Sequence, residues 1–149
     1  MAGTYHDAVG LARQSLNACV NGTPGPGDLA CQALGAGVCS DAAAQPCESD
    51  VQIADTQIQT FLIALLQNPA PSALATKDAR LQADLAQADT ALLAITDALL
   101  NGDAAKAEAG RSAYTAAIAA AAGDASALGN SRHDRLRSGT RTRVPPRSC

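Results

Sequence analysis

The sequence predicts an all-α protein, an antiparallel up-down bundle of about four helices. Three observations carry this. Of the 149 residues 35 are Ala, against 27 Leu, Ile, Val and Phe together and only three aromatics, Tyr5, Phe61 and Tyr114. Ala loses no side-chain entropy in a helix, whereas sandwiches and barrels want β-branched and aromatic residues. Every long segment repeats its apolar residues at alternating spacings of three and four. The breaks between the last three such segments are short, and short links force antiparallel neighbours.

The first helix is expected over Tyr5 to Val20. Thr4 is its cap, with Asp7 three residues on. Tyr5, Ala8, Ala12, Leu16 and Cys19 form one apolar face. Asn21 to Gly27, with two prolines and three glycines, then breaks the chain. A short helix fits Asp28 to Leu34, followed by loop to Cys47 with one helical turn at Ser40 to Gln45.

The second long helix is expected over Glu48 to Gln67. Val51, Ala54, Ile58, Phe61 and Leu65 form its stripe, and Leu62 and Leu66 widen it, so it should be the most buried. Asn68-Pro69-Ala70-Pro71 ends it, because proline breaks the hydrogen-bond ladder. The third runs from Ser72 or Thr76 to Leu100 with Leu81, Leu85, Ala88, Leu92, Ile95 and Leu99 inward. Its polar face carries Lys77, Asp78, Gln82, Asp84, Gln87 and Asp89. In Asn101-Gly102-Asp103, Gly102 suits the left-handed end of one helix and Asp103 the N-cap of the next. The fourth runs from Ala104 to about Leu128. Its inner face is Ala107, Gly110, Tyr114, Ala117 or Ile118, Ala121 and Ala125, with Gly110 and Gly123 allowing close approach of a neighbour.

Charge divides the chain at that point. Residues 1–128 hold 13 acids and 5 Lys or Arg, a net −8. Residues 129–149 hold six Arg and one Asp, a net +5. The acidic body is unsuited to holding a polyanion, so specific nucleic-acid recognition is not expected. The tail has no Ala and no apolar period and is expected to be unstructured, with weak polyanion contact as its one electrostatic option. The expected organisation is a bundle at 1–128, with a cysteine-containing crossover at 19–47, and a separate tail at 129–149.

Cys19, Cys31, Cys39 and Cys47 cluster within the crossover, and Cys149 stands apart. No two of them form the close pair that zinc sites usually use. An even set in a Gly/Pro-rich segment reads as two disulfides and hence an oxidising compartment. Three connectivities are open. The residues after Met1 show no basic or apolar signal region, so the extracytoplasmic reading expects an export signal upstream of this chain. No apolar run is long enough to span a bilayer.

Catalytic motifs are missing. With two histidines and two glutamates the chain lacks the Glu-x-x-His pairs of di-metal bundles, and no nucleophile elbow or phosphate loop occurs. Neither an enzymatic activity nor a resident cofactor is expected. Tyr5 and His6 are the candidate ligand-binding residues, since both side-chain types ligate haem iron. The leading expectation is a non-catalytic binding protein with an unidentified protein partner. The alternative is a carrier of a small apolar ligand such as haem or lipid.

The stretches Ile58-Gln59-Thr60-Phe61-Leu62-Ile63-Ala64-Leu65-Leu66, Asn68-Pro69-Ala70-Pro71, Leu85-Ala86-Gln87-Ala88-Asp89-Thr90-Ala91-Leu92 and Leu99-Leu100-Asn101-Gly102-Asp103 resemble Ala-rich helical segments of uncharacterised exported proteins and lipoproteins from high-GC bacteria, actinobacteria especially. The resemblance covers about half the chain. It implies a helical bundle and an exported location, and it carries over no site residue.

Overall fold

A computed structural model describes residues 4–23, 28–36 and 45–143. Of 28, 29, 45, 46 and 130–143 it gives the backbone alone. The described residues form five α-helices and no strand: α1 (Tyr5–Asn21), α2 (Asp28–Gly35), α3 (Gln45–Gln67), α4 (Ala75–Leu100) and α5 (Ala104–Arg143). A short 3-10 turn, Ser72–Leu74, leads into α4. The all-α bundle expected from periodicity is the architecture found. α1, α3, α4 and α5 are its four long members, and α2 is a short helix packed on α1, α3 and α5.

Local chemistry sets the helix ends. Thr4 Oγ1 accepts from the Asp7 amide at 3.1 Å, and Gly22 closes α1 at φ +71°. At the α4–α5 turn Gly102 lies at φ +64°, and the Asp103 amide donates to Ala98 O at 2.9 Å. Asp103 Oδ1 then accepts from the Lys106 amide at 3.0 Å. The left-handed glycine and the capping aspartate stand where their chemistry places them. α3 begins three residues before the expected Glu48, so Cys47 lies on a helix. The helical turn expected at Ser40 to Gln45 falls mainly outside the described residues.

The core is one contiguous cluster. Ala8, Ala12 and Leu16 of α1, Val51, Ala54, Ile58, Phe61 and Leu65 of α3, and Leu81, Leu85, Ala88, Leu92 and Ile95 of α4 meet Tyr114, Ile118, Ala121, Ala125 and Leu128 of α5. Two expectations about α3 fail. Leu62 is only partly buried and Leu66 is 69% exposed. Nor is α3 the most buried helix. Among the described residues it buries six, against nine on α5 and eight on α4, which packs on α3 on one side and on α5 on the other. Being flanked on both sides widens the stripe a helix must bury.

α4 and α5 form the most extensive pair, and Gly110 shows why. A Cβ there would lie 2.7 Å from Ile95 Cγ1 and 3.3 Å from Ala91 O. Gly123 has nothing within 4 Å of an added Cβ and is exposed, so it does not serve the close approach expected of it. Burial follows the periodic face as far as Leu128. The α5 backbone stays helical beyond it to Arg143, since no proline interrupts the chain before Pro145. Of the expected tail, 130–143 is described by that backbone alone, and 144–149 lies outside the described residues.

Candidate functional site

Tyr5 and His6 open α1 and stand at the rim of a small pocket of about 220 Å³, walled by Val9, Pro71, Leu74 and Leu128. The pocket exists because the 3-10 turn before α4 and Leu128 of α5 converge on the first turn of α1. His6 is exposed and Tyr5 half-buried. The Tyr5 hydroxyl is engaged. It donates to Asp78 Oδ1 at 3.0 Å, while Gln82 Nε2 donates to Asp78 Oδ2 at 2.6 Å. Burial and then the Asp78 carboxylate push the phenol above its ordinary range.

Asp78 corrects the sequence reading. It was expected on the polar face of α4 but is buried at 7% exposure. The pattern contained a clue: Asp78 stands three before Leu81, in the same alternating series as Leu85 and Ala88. A carboxylate on the inward stripe needs donors, and Tyr5 and Gln82 supply them.

Of the four clustered cysteines, Cys19 and Cys31 are bonded to each other, with Cα atoms 5.7 Å apart. This bond joins α1 to α2. Cys47 is buried and also disulfide-bonded. Cys39 lies outside the described residues, as does Cys149. Beside the Cys19–Cys31 bond a cleft of about 380 Å³ is bounded by Val20, Gln32, Gly35, Tyr114 and Ile118.

Two surfaces remain. A shallow groove of about 850 Å³ runs between α4 and α5, floored by Ala91, Ala94, Gly110, Ala113 and Ala117, with Asp97 and Lys106 at one end. The outer face of the α3–α4 hairpin carries large aliphatics. Gln59 of α3 donates to Asp89 Oδ2 of α4 at 3.2 Å and marks the line where this face crosses the seam. Ile63 and Leu66 follow Gln59 at four and seven residues; Leu93 and Leu100 follow Asp89 at four and eleven. These spacings keep each pair on the side of its helix that carries Gln59 or Asp89. Their exposures are 50%, 69%, 62% and 82%.

Among the described residues no three His, Cys, Asp or Glu side chains group as metal ligands, and no helix is long and apolar enough to cross a membrane. No protein-family model matches the chain, and no curated protein or solved structure matches it.

Proposed function

We propose that this chain is a non-catalytic binding protein of an extracytoplasmic compartment, docking a protein partner through the outer face of the α3–α4 hairpin. The observation that carries the reading is the exposure of Ile63, Leu66, Leu93 and Leu100 on that face. Large aliphatic side chains exposed along one face, here two on either side of the Gln59–Asp89 tie, offer apolar area to a partner. The disulfides support the compartment, since such bonds persist in oxidising surroundings. The resemblance of this hairpin to exported Ala-rich proteins points the same way.

Site-specific photocrosslinking in the producing cell tests the docking face. A photoreactive residue at Thr96 should give one discrete adduct. The adduct should vanish when Leu93 and Leu100 are both changed to Asp, with the circular dichroism unaltered. Equal labelling from Thr96 and from Ala116, which lies in the α4–α5 groove, would overturn the reading.

The pocket beside Tyr5 and His6 supports a second reading, carriage of a small apolar ligand. Its 220 Å³ falls below the roughly 300–1,000 Å³ of sites for drug-sized ligands and nearer the size that holds benzene. Haem would need a larger opening. Saturable binding of a small aromatic probe, lost in Leu74→Asp, would favour carriage.

A further inference from the structure

Beside its apolar stripe helix α4 carries three carboxylates, each turned to a different helix. Asp78 faces α1 and has its two donors. Asp89 faces α3, within hydrogen-bonding reach of Asp55, and Asp84 lies in the same relation to Asp124 of α5. These two pairs differ from Asp78 in one respect. Asp89 Oδ1 and Asp124 Oδ2 are closed off from solvent and meet no hydrogen-bond donor. Two ionised carboxylates have only acceptors to offer each other. A single proton between them converts one oxygen into a donor and removes the like-charge repulsion at once.

We infer that the Asp55–Asp89 and Asp84–Asp124 pairs form an acid-operated latch, holding α3 and α5 to α4 by one shared proton each and loosening both seams when the protons leave. The inference is independent of the docking face. The groups acting on Asp89 are Asp55 and Gln59, both from α3. Gln59 supplies one donor to Oδ2, which leaves Oδ1 unserved. The groups acting on Asp124 are Asp84 and Arg80, both from α4. From α1, Asn17 Nδ2 donates to Ser126 Oγ at 3.2 Å, and Arg13 lies over Gly129. Arg80 opposes the latch on its own side by favouring ionised Asp124, and it does not offset burial and the Asp84 carboxylate.

Burial, then the Asp55 carboxyl, raises Asp89 from the ordinary aspartate value to about 6; burial and Asp84 do the same to Asp124. Between the unfolded value of 3.8 and about 6 the folded chain holds more protons than the unfolded one. Stability from these groups is therefore complete below the lower value and is lost as pH rises through about 6.

The test is thermal unfolding of the full, oxidised chain at pH 5.0 and pH 7.5. The parent should melt on the order of 5 °C higher at the acid pH. Asp89→Asn with Asp124→Asn supplies permanent donors, so this variant should match the parent's acid value at both pH values. Asp55→Asn with Asp84→Asn should flatten the profile equally, because removing either member ends the sharing. Asp97→Asn, which removes the same charge from an exposed site on α4, should leave the pH difference intact. The latch is refuted if the Asn pairs keep the parent's pH difference, or if Asp97→Asn abolishes it. Calcium chloride at pH 7.5 should leave the parent's melting unchanged. A calcium-induced rise that the Asn pairs lose would show a bridging cation and overturn the shared proton.

Discussion

The α4–α5 hairpin and the α1–α2 corner hold helices together by opposite means. In the hairpin a three-residue turn delivers two long helices side by side, and small residues let the backbones close until Gly110 meets Ile95 and Ala91. Area does the work there, supplied by Ala88, Ala91, Ile95, Ala107, Tyr114 and Ala117. In the corner α2 has eight residues and little area to give. It is fastened instead by the Cys19–Cys31 bond and by polar ties. Gln32 Nε2 donates to Ala18 O at 3.1 Å and Thr23 O at 2.7 Å; Arg111 Nη1 donates to Gly35 O at 3.2 Å. A chain poor in large apolar residues can build one seam from closely spaced Ala, but a seam that short needs a covalent bond.

The largest effect should come from the corner. Replacing Cys19 and Cys31 by Ser removes a bond across a sequence separation of 12. Loop-closure entropy values such a bond at about 3 kcal/mol, which lowers Tm by roughly 10 °C. Far-ultraviolet circular dichroism should keep nearly all its helical signal. An unchanged Tm would mean that α2 is held by packing after all, and the contrast would dissolve. The hairpin should answer to volume. Gly110→Val places atoms where Ile95 Cγ1 and Ala91 O already stand, and overpacking of this kind costs about 1–3 kcal/mol. Trimming the obstacle with Ile95→Ala should return part of that loss when combined with Gly110→Val. A double variant no better than the sum of its parts would place the crowding elsewhere.

The two regions also differ in how far the sequence exposes them. The hairpin is legible because its information is local. The spacing of Leu81, Leu85, Ala88, Leu92 and Ile95 gives the buried stripe, and Gly102 with Asp103 gives the turn. Thr4 is read as a cap for the same reason. What fails is what depends on register between helices. Gly110 and Gly123 look alike on α5, and only the position of Ile95 on α4 separates a contact from open space. Leu66 widens the stripe by spacing, yet it stands on the Gln59 side of α3, one residue round from buried Leu65, and is exposed. Asp84 and Asp89 do not share a face, as their spacing of five implies. Both are expected on the polar side of α4, since nothing in α4 alone shows that Asp124 and Asp55 stand opposite. Of the candidate site, the rim residues Tyr5 and His6 were named from sequence, and Asp78 was not. The cysteine cluster was named as a set, and the pairing of Cys19 with Cys31 needed the structure.

A polar tie tests the boundary between the regions at smaller magnitude. Tyr5→Phe leaves the ring in place and removes one donor from buried Asp78, which retains Gln82. Losing one hydrogen bond to a charged group should cost about 1–2 kcal/mol, read as a lower urea midpoint with unchanged m. Unchanged stability would mean that water reaches Asp78 as readily as the phenol does.

The smallest effect has the opposite sign and sharpens the comparison inside a single helix. Gly123 lies on α5, with helical backbone on either side. It is exposed, and an added Cβ would meet nothing within 4 Å. Glycine there only enlarges the set of unfolded conformations that folding must give up. Gly123→Ala should therefore stabilise the chain by about 0.5–1 kcal/mol, a rise in Tm of a few degrees. The same substitution at Gly110 puts its Cβ against Ile95 and should destabilise, although the helix propensity gained is identical. Measured together, the two variants isolate the contact with α4 from everything that glycine does to α5 alone. Equal shifts of one sign at both positions would show that the seam at Gly110 has slack, and that Ala packing is not what closes the hairpin.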